Sequence, residues 1–323
     1  MDAPRTAGHP TRAPRARDQA GRLPSWPGVY RFRDSSGSVL YLGRAVNLRR
    51  RVLSYWGDLR GRRHLTDMVP RIAEVEAVAC DSAHEAAWLE RNLLRESLPP
   101  WNRSPAGGQE VEVWIRLSYS RRTPGLNVVH ERNSGDYVRN FGPYLGGQKV
   151  RTAVSGVARV LPIRYTSDEL TGAVRELARI RGASAADRPE LTREVVQVLE
   201  REPAAVARVH DQLVSRRDAA VAGLSFELAA KLQAEIEALE WISAEQKVAR
   251  QEPGNFEVCG WAEGMLVRFE VRNGRLCGWS QHLCADGATA VCTAELRAEW
   301  TSFALRNAQL AAGLTQCPTA GRG

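Results

Sequence analysis

The chain of 323 residues has few cysteines, little lysine and no long run of uncharged apolar residues. A helix that spans a bilayer needs roughly 18 consecutive apolar residues, so we expect no membrane association. The six cysteines form no CxxC pair, which argues against a zinc site or a secreted disulfide framework and favours reduced thiols in the cytoplasm. Hydrophobic residues make up 43% and charged residues 25%, a balance that excludes a wholly disordered chain.

Positive charge is concentrated in the N-terminal third. Residues 1–103 hold 18 arginines and 11 acidic residues, a net charge of +7, whereas the rest of the chain has a net charge of +1. This asymmetry favours a polyanionic partner for the N-terminal third, nucleic acid first, although charge also serves solubility alone. Arginine outnumbers lysine 42 to 3, a bias typical of genome composition, so no single arginine is assigned to phosphate on this ground.

The first third also has the pattern of a small α+β module. Two short β-favouring runs, 28–32 and 39–43, are separated by an Asp-Ser-Ser-Gly cluster, which predicts a hairpin. A third strand fits residues 75–79. Ser82 followed by Glu85 has the spacing of a capping box and predicts a helix that stops before a Pro-Pro pair.

Further along, two amphipathic helices are joined by a short turn at Gly223, which we expect to cap the first helix in a left-handed conformation. An isolated hairpin leaves part of its apolar stripe without cover, which invites a partner. Asn273-Gly274 predicts a β-hairpin turn, and the tail after Asn307 is expected to fray. These patterns divide the chain into a flexible basic tail, a compact module, a mixed linker region, a helical hairpin and a partial β-rich C-terminal segment: 1–22, 23–103, 104–201, 203–248 and 255–323.

Side chains with catalytic potential gather in the compact module. Tyr30 and Tyr41 lie in glycine-flanked strands, Arg44 and Arg51 follow, and Tyr55 comes one helical turn after Arg51. Taken singly, each has an ordinary structural explanation, because strand tyrosines are usually core and helix arginines are usually at the surface.

A single carboxylate accompanies them. Glu90 is placed at the edge of the apolar face of its predicted helix, beside Leu89 and Leu93. A lone carboxylate at such a position is costly unless it is paired or bound to a metal. Glu90 is therefore expected either to pair with a cationic side chain or to bind a metal.

The combination resembles the GIY-YIG nuclease domain of the UvrC family of excinucleases. Two downstream segments, 141–144 and 161–164, resemble the region that follows this domain, and residues 224–232 resemble the UVR motif, through which the family docks on the helicase UvrB. The nuclease resemblance is carried by ordered segments over 80 residues, among them Pro27-Gly28-Val29-Tyr30, Leu40-Tyr41-Leu42-Gly43-Arg44-Ala45, Asn47-Leu48-Arg49-Arg50-Arg51, Leu89-Glu90 and Pro100-Trp101-Asn102.

The resemblance implies an α+β fold, with a small GIY-YIG α/β-sandwich nuclease module over 23–103, a mixed linker region, a UVR-like helical hairpin and a small β-rich C-terminal segment. It also implies a phosphodiester hydrolase that uses one divalent ion. Glu90 would hold that ion, and oxygen ligands favour Mg²⁺ or Mn²⁺.

The resemblance also assigns roles to the remaining candidates. Tyr41, with Tyr30 beside it, would position and deprotonate the attacking water, provided that nearby arginines lower the phenol pKa; which tyrosine is the base stays open. Arg51 would brace the phosphate and, with Arg44, supply the positive field. The remaining two residues, which would orient the phosphate and the metal site, are Tyr55 and Asn102.

The sequence departs from the family pattern in several places. Arg44 stands where the family usually has lysine. Tyr165-Thr166-Ser167 stands where relatives often carry cysteines, so we expect no iron–sulfur cluster. Gln233-Ala234 replaces the usual Arg-Asp pair of the UVR motif, which weakens the inference of helicase docking. The RNase H-like and helix-hairpin-helix regions of the family are not recognisable, which implies one incision instead of two.

The resulting hypothesis is a short UvrC-like, metal-dependent DNA endonuclease of nucleotide excision repair, located in the cytoplasm. Its partners would be DNA and, through residues 203–248, a UvrB-type helicase, with no membrane partner. One alternative is a catalytically weak DNA-binding adaptor that docks on such a helicase. Another is a GIY-YIG nuclease of recombination, a mobile element or defence, because one fold hosts many uses.

Overall fold

A computed structural model describes residues 13–57, 64–103, 111–132, 135–250, 254–285 and 298–315. The chain divides into two compact units: the first joins the residues up to 108 with those from 246 onward, and the second contains residues 109–245. Both units contain helices and strands, which confirms the α+β class. No helix within the described ranges is long and apolar enough to cross a membrane.

The described strands form three sheets of three strands each. In chain order these strands are β1 (Gly28–Arg33), β2 (Val39–Ala45), β3 (Glu74–Ala79), β4 (Glu112–Ser118), β5 (Gly125–Val129), β6 (Val138–Leu145), β7 (Phe256–Ala262), β8 (Met265–Arg272) and β9 (Arg275–Leu283). The described helices are α1 (Ala13–Arg22), α2 (Leu48–Leu53), α3 (Ala83–Glu96), α4 (Gly147–Val160), α5 (Gly172–Ile180), α6 (Arg188–Leu199), α7 (Pro203–Ala222), α8 (Phe226–Ser243) and α9 (Ala298–Thr315).

The first sheet is antiparallel, with the order β2-β1-β3. Its central strand places Tyr30 opposite Gly43 on one side and Ala77 on the other. The β1–β2 hairpin is confirmed, and its turn ends at Gly37 with a φ of 86°, which glycine adopts without a steric penalty. The third strand is confirmed as well.

Helix α3 begins at the predicted capping signal, but only half of the capping box forms. Ser82 Oγ accepts a hydrogen bond from the Glu85 N–H at 3.0 Å, as a capping box requires. The Glu85 carboxylate instead accepts from the N–H groups of Asp81 at 2.7 Å and Lys247 at 2.9 Å. Lys247 Nζ also forms ion pairs with Asp81 and Glu85. The Glu85 carboxylate, which a capping box would bond to the backbone of its own helix start, therefore binds the distant segment that contains Lys247.

Helix α1 lies in a stretch that composition assigned to a flexible tail. Ala16 and Ala20 on this helix are fully buried, and Gln19 Nε2 donates a hydrogen bond to the Leu314 carbonyl at 3.1 Å. The flexible tail predicted for residues 1–22 is therefore wrong where the structure describes it. Helix α9 contributes to the cover over α1, and composition cannot reveal such a long-range contact. The residues before α1 lie outside the described ranges.

The C-terminal part of the first unit is an antiparallel sheet covered by α9. A Cβ at Gly260 would lie 2.2 Å from the Ala304 carbonyl oxygen, so glycine permits the close approach of α9 to β7. The turn at Asn273 and Gly274 has φ values of 51° and 72°, which confirms the predicted hairpin. The segment is less purely β than expected, because α9 continues past Asn307 where fraying was predicted.

This C-terminal part packs on the first module within the same unit. Asn307 pairs with the Ala79 backbone: its Oδ1 accepts from the N–H at 2.7 Å and its Nδ2 donates to the carbonyl at 3.2 Å. The Arg31 guanidinium donates to the Trp279 carbonyl at 2.8 Å and lies 3.8 Å from the centroid of the Trp279 ring. Two segments that the sequence presented as separate regions therefore share one compact unit.

The cysteines depart from the expectation of reduced thiols at one position. Cys80, Cys277 and Cys284 are free, whereas Cys259 is disulfide-bonded. Spacing along the chain does not reveal which sulfur atoms a fold brings within bonding distance. Burial raises the pKa of the Cys80 thiol, so this side chain stays uncharged near neutral pH.

The second unit contains the sheet β5-β4-β6 and the helical hairpin α7–α8, and the hairpin itself is confirmed. Leu232, Ile236 and Leu239 of the apolar stripe are buried in a core to which α4 contributes Val157. The expectation that these residues await a partner is wrong, because α4 packs along α8 and covers them. Phe226, at the start of α8, remains exposed, at 63%.

The hairpin turn differs in detail from its prediction. The left-handed residue is Leu224, with a φ of 54°, whereas Gly223 has a φ of −85°. The helical turn extends through Gly223, so the position that reverses the chain falls on the next residue. A left-handed conformation costs a non-glycine residue about 1–2 kcal/mol.

Candidate active site

Three tyrosines form a hydroxyl network beside β1 and β2. Tyr30 and Tyr55 are buried, with 0% and 1% exposure, whereas Tyr41 is partly exposed. The hydroxyl oxygens of Tyr30 and Tyr55 are 2.7 Å apart, and the Tyr41 hydroxyl forms a further hydrogen bond with Tyr55. The structure therefore brings all three predicted tyrosines together, with Tyr41 at the solvent side.

Backbone register explains how these rings meet. Tyr30 pairs with Gly43 across the hairpin, and a Cβ at Gly43 would lie 2.6 Å from the Tyr30 hydroxyl oxygen. Phe32, two residues after Tyr30 and therefore on the same face of β1, places its ring centroid 4.9 Å from that of Tyr55. Phe32 was not among the predicted site residues. The alternation of side chains along a strand would have placed it on the same face as Tyr30.

Arg51 joins the network from α2. Its Nε donates to the Tyr30 hydroxyl at 3.3 Å, and its guanidinium carbon lies 5.5 Å from the Tyr55 ring centroid. Burial lowers the pKa of Arg51, but the neighbouring hydroxyls of Tyr30 and Tyr55 outweigh burial and the net shift is upward. Arg51 is therefore a permanent positive charge beside the tyrosines, as predicted from its spacing.

The tyrosine pKa values move in the direction opposite to the expectation. Burial is the largest influence and raises the pKa of Tyr30, Tyr41 and Tyr55 above the usual value of a phenol. The positive charge of Arg51 lowers each pKa, but by less than burial raises it. Arg51 therefore acts in the expected direction, but the net pKa shift is upward, and all three hydroxyls are protonated near neutral pH in the protein alone.

Glu90 lies on α3 at the edge of this cluster, paired with Arg44 of β2. The Arg44 N–H donates to Glu90 Oε1 at 3.1 Å, and Arg44 Nε lies 3.3 Å from Glu90 Oε2. The side chain of Glu90 is 9% exposed, and the pairing offsets the cost of burying its charge. The negative charge of Glu90 is one of the influences that raise the pKa of Tyr41, which links the carboxylate to the hydroxyl network.

Asn102 has a backbone role that the sequence did not indicate. Its Oδ1 accepts from the Leu42 N–H at 2.9 Å, and its Nδ2 donates to the Leu42 carbonyl at 2.7 Å. Both ends of the amide are thus occupied by β2, between Tyr41 and Gly43. Asn102 therefore fixes the strand that carries Tyr41 and Arg44, and its amide is directed at that backbone.

The donor chemistry at Glu90 fits a hard divalent cation. No group of three or more histidine, cysteine, aspartate or glutamate side chains within the described ranges is arranged to hold a metal. One carboxylate with water and substrate phosphate oxygens as the other ligands is a common arrangement for Mg²⁺. Arg44 is already paired with Glu90, so a cation there would share the carboxylate with a guanidinium.

Comparison with known proteins finds likenesses over the first half of the chain. Residues 26–103 match the family described as the UvrC-like GIY-YIG domain. The UvrABC system protein C of Trichlorobacter lovleyi is 33% identical over 149 residues, which are 46% of this chain and 24% of that relative. The UvrABC system protein C of a Mycobacterium species is 37% identical over 153 residues, which are 47% of this chain and 22% of that relative.

Among solved structures, the magnesium-bound crystal structure of the GIY-YIG N-terminal endonuclease domain of UvrC from Thermotoga maritima is 29% identical. It covers 27% of this chain and 94% of that domain, with a TM-score of 0.25. The chain spans about a quarter of the length of the curated relatives that it matches.

Proposed function

From residues 26–103, which match the UvrC-like GIY-YIG domain, we propose that this chain is a metal-dependent endonuclease that hydrolyses one phosphodiester bond of DNA in nucleotide excision repair. One observation carries the proposal: the tyrosine network, Arg51 and the Arg44–Glu90 pair converge beside β2.

We assign the attacking water to Tyr41, because it is partly exposed whereas the other two tyrosines are buried. Tyr30 and Tyr55 are enclosed, so their hydroxyls act through Tyr41 by hydrogen bonding. In this arrangement the ionised fraction of Tyr41, whose own proton has first passed to solvent, orients the water and accepts its proton, while Tyr55 and Tyr30 hold the ring in place. Arg51, fixed against Tyr30, is placed to donate to a phosphate oxygen whose charge grows in the transition state.

Glu90 would hold the divalent ion, Mg²⁺ or Mn²⁺, through its carboxylate oxygens. When bound, the ion would supply positive charge that polarises the phosphodiester and favours ionised oxygen near the site. Arg44 would balance the Glu90 charge until the substrate binds, and its side chain, which is 31% exposed, would then turn toward a phosphate. Asn102 would keep β2 in register with these groups.

The first test is a nicking assay with the purified full-length chain on supercoiled plasmid carrying ultraviolet damage. We expect relaxed circles in Mg²⁺ or Mn²⁺ and no product in EDTA, because the residues alone lack the positive charge that the reaction needs. One incision per site gives relaxed circles in preference to linear DNA. Nicking that persists in EDTA, or its absence in both metals even with a UvrB-type helicase added, would contradict the proposal.

The exposed end of the helical hairpin supports a second part of the proposal, docking of a UvrB-type helicase through residues 203–248. Leu224, Phe226 and Leu228 are 74%, 63% and 44% exposed and follow one another closely along the chain at the turn. Solvent-exposed apolar residues in a group commonly mark a protein interface. The buried part of the stripe takes no part in this docking.

Phe226→Asp should abolish capture of a UvrB-type helicase and leave the fold intact, because the side chain is mostly exposed. A pull-down with purified helicase gives the readout, and circular dichroism confirms folding. Val174→Asp, at a 40% exposed position on α5, is the matched control and should retain capture. Equal capture by wild type and Phe226→Asp would refute docking at the hairpin end.

A further inference from the structure

Three arginines and several apolar side chains line an open cleft in the second unit. Its volume is about 680 Å³, and Arg159, Arg181 and Arg216 contribute to its walls. Val160 and Leu232 are among the apolar residues that line it. These residues come from four parts of the chain, so their grouping is a product of the fold and of no local sequence pattern. The cleft is independent of the tyrosine site, which belongs to the first unit.

The charges at this cleft are not balanced. Glu235 is fully buried and forms a two-pronged ion pair with Arg159, with both N···O distances at 2.7 Å. Arg216 NH1 donates to the Arg159 carbonyl at 2.6 Å, and the Arg181 guanidinium carbon lies 4.9 Å from the Tyr165 ring centroid. Within the described residues, neither Arg181 nor Arg216 forms an ion pair with a carboxylate.

Mutual repulsion between these guanidinium groups creates a preference for an anion. Burial lowers the pKa of Arg216, the positive charges of Arg159 and Arg181 lower it further, and the negative charge of Glu235 offsets only part of this shift. An anion between Arg181 and Arg216 would relieve this repulsion. Guanidinium groups match the geometry of phosphate oxygens, to which they donate in pairs.

The apolar part of the cleft lining restricts the kind of anion that can bind there. Inorganic phosphate would leave Val160, Leu232 and the partly exposed Leu228 without contact, whereas a nucleotide presents a phosphate together with a flat base and a sugar. A volume of about 680 Å³ lies within the range of small-ligand sites, about 300–1,000 Å³. Because the cleft is open to solvent, one nucleotide could bind in it while the rest of a DNA single strand continues outside.

We propose that the cleft formed by Arg159, Arg181 and Arg216 binds a phosphate and its attached nucleoside in a single strand of DNA. Arg181 and Arg216 contact the phosphate, and Arg159, whose charge is balanced by Glu235, lines the cleft beside them. This inference rests on the proposed action on DNA and adds a second contact region in the unit that does not carry the tyrosine site.

The test measures binding of a fluorescein-labelled single strand to the full-length protein in EDTA, by anisotropy across a salt series. Arg181→Ala and Arg216→Ala should each weaken binding about tenfold, as expected for loss of a charged hydrogen bond. Each should also reduce the slope of log K against log salt by about 0.7, the value for one phosphate contact to a single strand. Arg181 is exposed, so its replacement does not threaten the fold.

Arg217→Ala is the matched control, because Arg217 is adjacent on α7 but bonded to Asp218 and Gln233. It should leave both affinity and slope unchanged. Affinity within twofold of wild type and an unchanged slope in both cleft variants would overturn the inference, as would equal loss in the control. A polyglutamate peptide or free deoxyadenosine monophosphate that competes as well as unlabelled strand would overturn the assignment to a strand.

Nicking distinguishes this inference from the proposed function. If the wild-type protein binds single-stranded DNA through the cleft but does not nick DNA, the nuclease proposal is wrong and the cleft inference stands. If the wild-type protein nicks DNA and the cleft variants bind single-stranded DNA normally, the cleft inference is wrong and the nuclease proposal stands.

Discussion

Glu90→Gln is expected to reduce nicking at least about 10³-fold, equivalent to about 4 kcal/mol of transition-state stabilisation. The glutamine keeps an oxygen that can accept from the Arg44 N–H, so the backbone contact at 3.1 Å can persist. It loses the charge that would hold a divalent ion. DNA affinity should stay within about twofold of wild type, because no phosphate-binding charge is removed.

Glu96→Gln is the matched control for this variant. Glu96 lies on the same helix but is exposed and pairs with Arg272, so its loss should leave nicking unchanged. Rates are measured at saturating Mg²⁺ on damaged plasmid, with anisotropy for DNA affinity. A Glu90→Gln rate within tenfold of wild type would show that the carboxylate is not the metal ligand.

Tyr41→Phe is expected to lower kcat by about 10²–10⁴-fold, the usual contribution of a general base. The phenyl ring keeps the packing against Tyr30 and Tyr55, whose ring centroids lie 6.3 and 6.0 Å from that of Tyr41. Only the hydroxyl that meets the water is lost. Tyr119→Phe, in the other unit, is the control and should leave kcat unchanged.

The pH profile of kcat provides a second readout for Tyr41. Because burial raises the Tyr41 pKa, its ionised fraction at neutral pH is small and increases about tenfold for each pH unit. If Tyr41 is the base, log kcat should rise with a slope of about one through the neutral and mildly alkaline range. Tyr41→Phe should lack this rise, and an equal rise in both proteins would identify another base.

Much of the local structure was readable from the sequence. The turn ending at Gly37, the Ser82 cap and the Asn273-Gly274 turn each depend on a few neighbouring residues, and each is found where it was predicted. The tyrosines and Arg51 also converge as their spacing indicated, because one hairpin and the helix after it carry them all.

Apart from the cap expected at Gly223, the predictions that failed depended on distant residues. Residues 13–22 are helical because α9 helps to cover them, and Leu232 is core because α4 lies along α8. The phenol pKa values rise because burial, which sequence does not reveal, outweighs the charge of Arg51. Asn102 pairs with the Leu42 backbone because a loop returns to an edge strand.

The sequence by itself determined the local elements, the order of the site residues and the charge asymmetry, since each follows from neighbouring side chains and their spacing. Only the tertiary structure decided that Tyr41 meets solvent, that Glu90 is paired with Arg44, and that Arg181 and Arg216 share a cleft. Exposure and charge pairing depend on which remote segments pack together. That packing is a balance of burial and pairing over the whole chain, and no short stretch of sequence contains it.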